Sequence, residues 1–495
     1  MSALRQHMVA TFVALSAISF GTIAFAQQVT TIQLPDDVFR PQVVVDDADT
    51  IHMVYANKEV RGDLYYMRQE PGETEFTEPI KVNSTPNCSA AFNIALGKDN
   101  RVHVVIRPNA MYSKNKLNRQ PKFPDLKYML YHRLNDDGTA FEEERDLSAG
   151  TYAFEGVGAV LADEDGTVWV YWHGLPPQDP PVMREEIHRK IWLAKSTDDG
   201  ATFSEPVATE MEPIGACACC SMQGVLGGDG KIYLIYRNSL PVEDGHKNTY
   251  VVTSDDGLKF TSQLLDEFPM AGCPGSVYGL TWSPSGVFAG WDTEGHVYFT
   301  KANSDMRRIA ASDGGNPSRT PVMAVNGEGD ILFAWSQATN PNRFMRVADL
   351  NWQVYDKRGR PKFDRNNVMD GGVALWSMPA VAVRPDGSFV IFHDGPGPAA
   401  AEQPDETPGH AHYQGHQGMH QYPCCGTALV SIGAYEKARE GCSRAFRSAQ
   451  SLCFVRRNLL YKQVDSLQTR GIGRFTCGPS PATFGCTRGQ ATAGA

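Results

Sequence analysis

Beyond its N-terminus the chain has no apolar run long enough to cross a bilayer, which leaves no stable membrane span. It has no basic excess either: 46 Lys and Arg stand against 56 Asp and Glu, for a formal charge of -10. That balance argues against a general nucleic-acid binder, which needs positive charge to meet phosphate. Cys-x-x-Cys-His is absent, so covalent haem attachment is excluded, and the cysteine spacing matches no standard zinc knuckle. An even cysteine count is missing as well. There are 11, so at least one stays outside intrachain pairs.

The one long apolar run is Met8 to Ile23. It follows Arg5 and His7 and leads to the small-x-small triplet Ala24-Phe25-Ala26. This reads as a secretory signal over 1–26, cleaved to leave Gln27 first, with an uncleaved anchor as the alternative. Export predicts a secreted or periplasmic protein in an oxidising compartment, where disulfides form.

One short strand recurs seven times. The copies start at Ile51, Val102, Val168, Ile232, Val287, Ile331 and Phe389, which are 51, 66, 64, 55, 44 and 58 residues apart. Most follow an Asp-Gly or Gly-Asp turn. Strands repeating at this length predict an all-β fold, a β-propeller of four-stranded antiparallel blades. The segment 157–207 reads as one whole blade: Val157 to Leu161, the turn Asp163 to Gly166, Val168 to Trp172, then Ile191 to Ala194 and an outer strand after Pro206. The count of second strands predicts seven blades over 27–436. The early strand Val29 to Leu34 is placed to complete the last blade and close the ring.

Between the third and fourth strands of that blade stands Ser196-Thr-Asp198-Asp-Gly200-Ala-Thr-Phe203. Asp198 is placed to accept backbone N–H groups in a tight turn, Gly200 to take positive φ, and Phe203 to fold back onto the blade. A second copy is Thr253-Ser-Asp255-Asp-Gly257-Leu-Lys-Phe260. These octets resemble the Asp-box repeat of the sialidase-like superfamily of propellers. The resemblance implies a structural turn away from the active face, and it supplies six blades as the alternative count.

In a propeller, inner strands start and second strands end on one face. That rule gathers Arg40, Cys88, Cys217, Cys219, Cys220, Cys273, Arg319 and Trp376 with Asn57, Arg107, His173, Arg237, Asn238, Asp292, His393 and Asp394. Arginines there offer a fixed fork for a carboxylate, sulfate or phosphate. Phe39-Arg40-Pro41 is similar to the sialidase Phe-Arg-Ile-Pro motif, without its Ile. The resemblance implies that Arg40 binds a sugar carboxylate, with Arg107 and Arg237 as candidates for the rest of a triad. His173, Asn238, Arg319 and His393 join them as candidate ligand-binding groups. Asp63, beside Arg61, is placed like the family's general acid, and Asp292 is the second candidate catalytic carboxylate. No motif marks a nucleophile.

The cysteines carry a separate reading. Cys217-Ala-Cys219-Cys220, Arg237-Asn238 and Gly272-Cys273-Pro274 resemble a bacterial Cys-x-Cys-Cys variant of the sialidase-like propellers. Disulfides between blades are one expectation. Thiolate ligation of copper or zinc is the other. The segment 395–423 is a loop rich in Gly, Pro and His. With the doublet after it, it adds His410, His412, His416, Met419, His420, Cys424 and Cys425 to the candidate metal donors. From Lys437 the pattern breaks: 437–495 holds ten basic and two acidic residues and reads as a poorly ordered basic tail. The expected function is recognition of a carbohydrate or other small anion on the top face, with glycoside hydrolysis a further expectation. A non-enzymatic glycan- or protein-binding propeller and a copper or zinc protein are the alternatives.

Overall fold

The computed structural model describes residues 29–393 apart from 36, 58–61, 85–90, 108–128, 149–150, 154–155, 177–185, 218–219, 241–245, 270–275, 315, 340–346 and 375–377. The signal segment, the 395–423 loop and the basic tail lie outside the described residues.

Each second strand is mostly apolar because both of its faces are covered. Val102–Arg107 and Ile232–Arg237 are buried at every position. A strand sandwiched between two neighbouring sheets has no solvent face, so it reads as a continuous hydrophobic run. Around these strands form seven sheets. Blade 1 holds Val38–Val45, Ile51–Asn57, Leu64–Gln69 and Ile80–Lys81. Blade 2 holds Ala91–Leu96, Val102–Arg107, Leu130–Arg133 and Arg145–Asp146. Blade 3 holds Ala159–Ala162, Val168–Leu175, Lys190–Ser196 and Val207–Ala208, with Tyr152–Ala153 also on its second strand. Blade 4 holds Gln223–Leu226, Ile232–Arg237, Thr249–Ser254 and Thr261–Asp266. Blade 5 holds Gly279–Ser283, Gly286–Thr293, His296–Lys301 and Ile309–Ala310. Blade 6 holds Ser318–Val325, Ile331–Ala338, Val347–Tyr355 and Asn366–Ala374. Blade 7 holds Ala380–Val383 and Phe389–His393, and Val29–Gln33 adds to it in parallel.

The chain is therefore an all-β, seven-bladed propeller. Seven hydrophobic cores confirm closure, one between each adjacent pair of blades. The last brings Met53 and Tyr55 of blade 1 against Val390 and Phe392 of blade 7. Six blades is thereby corrected: the sialidase count does not carry over, because every second-strand copy nucleates its own sheet.

The turn from first to second strand is nearly the same in several blades. Gly166 N–H donates to Asp163 O, Gly230 N–H to Gly227 O, Gly329 N–H to Asn326 O and Gly387 N–H to Arg384 O. Each of these four glycines has positive φ, where a side chain would be strained. Asp49 and Asn100 occupy the corresponding left-handed positions in blades 1 and 2, which Asp and Asn tolerate better than other side chains. Two inner strands share a second device. The ladder of blade 1 bulges between Phe39 and Gln42, and that of blade 6 between Arg319 and Val322. In both, the residue before a proline has positive φ, Arg40 at 51° and Thr320 at 51°. A bulge re-aims side chains at the rim.

Candidate functional site

The hub-side ends of blades 3 to 6 bring together groups far apart in sequence. Cys217 and Cys220, just before the inner strand of blade 4, are 1% and 2% exposed, and their sulfurs lie 3.5 Å apart. Among the described residues neither forms a disulfide. Burial pushes the Cys220 thiol up, but a hydrogen bond shared with Cys217, the Arg237 guanidinium and a backbone bond with Ser276 outweigh it and bring it to about 7. The bond with Cys220, together with burial, pushes Cys217 well above the usual thiol range.

Arg237 ends the second strand of blade 4 and is buried. Its Nη1 donates to Lys247 O and its Nη2 to Asp292 O, both at 2.6 Å. The guanidinium lies over the Phe268 ring at 5.0 Å. Asp292 ends the second strand of blade 5, and its Oδ2 accepts Arg319 Nη1 at 2.8 Å from blade 6. Asn238 is fully buried, with Oδ1 accepting Asn248 N–H. Behind this group, Lys247 pairs with Glu186 and donates to Ser239 Oγ at 2.8 Å.

His173 is fixed by the protein. Its Nε2 donates to Cys220 O at 3.1 Å, and its Nδ1 faces Arg189 Nη1 at 3.4 Å. Burial, reinforced by Arg189, holds its pKa down to about 4, so the ring is neutral at pH 7. Both ring nitrogens are occupied, which is why His173 orders the Cys220 backbone rather than presenting a nitrogen to a ligand.

The other rim candidates stand apart from this cluster. Arg40 is buried in the blade 1 bulge over the Phe39 ring, Arg107 is buried at the end of the blade 2 second strand, and His393 is buried at the end of blade 7. Asp63 precedes the third strand of blade 1, where Lys81 at 2.6 Å and Asn83 at 2.9 Å hold its carboxylate. Those partners belong to blade 1, whereas Asp292 is tied to blades 4 and 6. The structure thus gives the two candidate acids separate settings.

Disulfides and a metal were both expected of the cysteines. Among the described residues, Cys217 and Cys220 are unbridged, and no group of three or more His, Cys, Asp or Glu is placed to hold a metal ion. Cys219, Cys273, His410, His412, His416, Met419, His420, Cys424 and Cys425 lie outside the described residues.

The turn at Ser196 has the expected geometry. Ser196 Oγ donates to Asp198 Oδ1 and accepts Gly200 N–H at 2.9 Å, while Asp198 Oδ1 accepts Thr202 N–H at 2.9 Å. Hydrogen bonds from Thr202 and Ser196 hold the Asp198 carboxyl down to about 2. Phe203 meets Tyr131 of blade 2 edge-on at 4.6 Å. The second turn corrects the expected residue. Asp256, not Asp255, accepts Leu258 and Lys259 N–H, both at 2.8 Å, and Ser254 Oγ accepts Gly257 N–H. Asp255 points away, 82% exposed, toward Lys231. Gly257 and Phe260 keep their expected places, with Phe260 edge-on to Tyr171 at 5.8 Å. Serine and aspartate moved together by one position, so matching on Gly and Phe alone mistook the acid.

Sequence reasoning missed Arg189, Lys247 and Ser276. A signal for two of them was present: third strands start on the same face as second strands end, and Arg189 and Lys247 stand just before third strands.

No protein-family model and no curated protein matches the chain. Solved structures resemble it weakly. A Penicillium chrysogenum α-L-arabinanase is 14% identical, with 67% of this chain and 98% of that one covered and a TM-score of 0.41. The Trypanosoma rangeli sialidase is 12% identical, with 64% and 56% covered and a TM-score of 0.42. The BP39L lectin of Burkholderia pseudomallei is 8% identical, with 72% and 96% covered and a TM-score of 0.46. Likenesses this low carry nothing about chemistry.

Proposed function

We propose that the propeller recognises an acidic carbohydrate, or a small anion of similar charge, at the hub-side rim of blades 3 to 6, without hydrolysing it. The observation behind this reading is a set of buried polar atoms with no hydrogen-bond partner among the described residues: Arg237 Nε, Asn238 Nδ2, Ser276 Oγ and Asp292 Oδ1. A buried polar group left unsatisfied costs about 1–3 kcal/mol, so four in one place point to partners from outside the fold. The sign of the partner follows from the arginines. Arg189 and Arg237 are buried at this rim of a chain that is negative as a whole. Both Nη groups of Arg237 donate to backbone carbonyls, which leaves its charged Nε–H to suit a carboxylate or sulfate oxygen.

Hydrolysis is less well supported. A glycosidase needs one carboxylic acid held protonated. Asp63 is instead paired with Lys81 and Asp292 with Arg319, so both candidate acids are already engaged in ion pairs. A metal-centred function lacks a third donor among the described residues. Export through the N-terminal signal, and so a secreted or periplasmic setting, belongs to the same proposal.

The test is titration of the purified chain with matched uronate-bearing, sulfated and neutral oligosaccharides. Acidic members are expected to bind, more weakly as salt rises, and Arg237→Met to weaken binding by about tenfold, on the order of 1.4 kcal/mol. Equal affinity for the neutral set would reject the anion-binding reading. Release of a shortened product would reject its non-hydrolytic part.

A further inference from the structure

Six polar atoms at the rim of blades 4 and 5 are buried with no hydrogen-bond partner among the described residues: Arg237 Nε, Asn238 Nδ2, Thr249 Oγ1, Ser276 Oγ, Asp292 Oδ1 and Thr293 Oγ1. Their residues are neighbours. Thr249 stands opposite Arg237 in the blade 4 ladder. Arg237 Nη2 reaches across to Asp292 O at 2.6 Å. Thr293 follows Asp292 at the end of the same strand, and Ser276 comes just before the inner strand paired with it.

These atoms differ in what satisfies them. Arg237 Nε and Asn238 Nδ2 only donate, and the three hydroxyls donate or accept. Asp292 Oδ1 is a carboxylate oxygen and needs a donor, while Oδ2 of the same group already accepts Arg319 Nη1 at 2.8 Å. A ligand that satisfies the whole set brings acceptors together with at least one O–H or N–H. A bare anion does not. Inorganic sulfate or an unsubstituted carboxylate sets oxygen against Asp292 Oδ1 and leaves it unpaired. Sites built to bond a hydroxyl reject analogues that lack it for that reason. Charge decides between a hydroxyl and an ammonium as the donor. Arg237, Asp292 and Arg319 are linked, two cations to one anion. A ligand with one net negative charge balances them, and a zwitterion does not.

We propose that the rim selects a hydroxylated monoanion, a sugar ring with one acidic substituent, and that Asp292 is the residue that determines this specificity. The acidic substituent accepts from Arg237 Nε, and a ring hydroxyl donates to Asp292 Oδ1. Asn238 Nδ2 and the Thr249, Ser276 and Thr293 hydroxyls remain for the other ring oxygens. The inference rests on anion binding at this rim and narrows it: a simple anion suits the arginine but not the aspartate.

The experiment titrates the full chain at constant ionic strength with glucuronate, glucose 6-sulfate, cyclohexanecarboxylate, inorganic sulfate, methyl glucoside and serine. The first two are the two sources of the acidic substituent, and at least one of them should bind about tenfold or more tighter than every other probe. Asp292→Asn gives a readout that a structural role would not. Arg319 needs an acceptor, so the amide oxygen stays toward it and the amide NH2 takes the place of Oδ1. Inorganic sulfate should then bind about tenfold more tightly and the sugar acid about tenfold more weakly. Parallel changes for the two ligands in the variant overturn the proposal. Equal wild-type affinity for the sugar acids, cyclohexanecarboxylate and sulfate overturns it while leaving anion binding intact, and does so even if the variant does not fold. Serine binding as tightly as the sugar acids overturns it too. Equal affinity for methyl glucoside overturns anion binding itself, so the two failures are distinct.

Discussion

The strand Val102–Arg107 runs between two different kinds of polar environment. At its turn-side end, cations meet carboxylates. Arg101 binds Asp199 and, at 2.5 Å, Asp136, and it donates to Leu134 O at 2.6 Å. His103 sits between Tyr131 OH at 2.6 Å and Asp199 at 3.4 Å, and Arg133 binds Glu142 at 2.9 Å. Blade 1 repeats the pattern: His52 lies between Tyr66 OH at 2.9 Å and Asp46 at 3.5 Å. At the hub-side ends, the groups around Arg237 are met by carbonyls, by a sulfur and in part by nothing. Ion pairs that cross from blade 2 to the Asp199 turn of blade 3 hold the ring together. Polar groups kept buried and unmatched do not, and the proposed binding role is what accounts for their cost.

The largest test of this contrast is charge removal on the turn side. Asp199→Asn keeps the shape and tolerates the left-handed backbone at φ 57°, but strips Arg101 and His103 of their anion. A loss of about 2 kcal/mol is expected in denaturant melts, reduced from the fully buried case because the site is partly exposed. Asp292→Asn at the hub should cost less stability and change anion affinity more, measured by the same melts and by titration.

Acid is the next lever, and it acts on both faces. Burial lowers the pKa of His52, His103 and His173. In the unfolded chain each takes up its proton near 6.5, before the folded form does, so stability is full above that pH and falls as pH drops below it. For His173 the loss should run from about 6.5 to about 4, at up to roughly 1.4 kcal/mol per pH unit. His173→Phe should flatten that part of a stability–pH curve, and an unchanged curve would contradict the neutral buried ring.

The smallest effect separates neighbours. Asp256→Ala should lower Tm, because it frees two backbone N–H groups of the turn, whereas Asp255→Ala should leave Tm where it is. Neither should alter ligand affinity. A melting series that reversed the order of the two aspartates would put the turn back in the register expected from its sequence.

The second strands were legible because each is a local run of β-branched and aromatic residues after a turn that needs Gly, Asp or Asn. Ile51, Val102, Val168, Ile232, Ile331 and Phe389 start strands as expected, and the fifth copy starts one residue early at Gly286. The early strand also went where closure required it, pairing Val29 with Phe389. The site was only half legible. Sequence flagged Arg237, Asp292, Arg319, Cys217 and Cys220 individually, since strand ends can be counted. It did not show that Arg237 would reach the Asp292 carbonyl, or that His173 would be spent on Cys220 O.

Blade number, turn chemistry and the faces of the strands were determined by the sequence alone, because each depends on residues a few positions apart. The partners of Cys220, Arg237 and Asp292 were decided only by the tertiary structure. Cys220 and Asp292 stand 72 residues apart, and what brings such groups together is closure of the ring and burial of its seven interfaces, a property of the whole chain that no local stretch encodes.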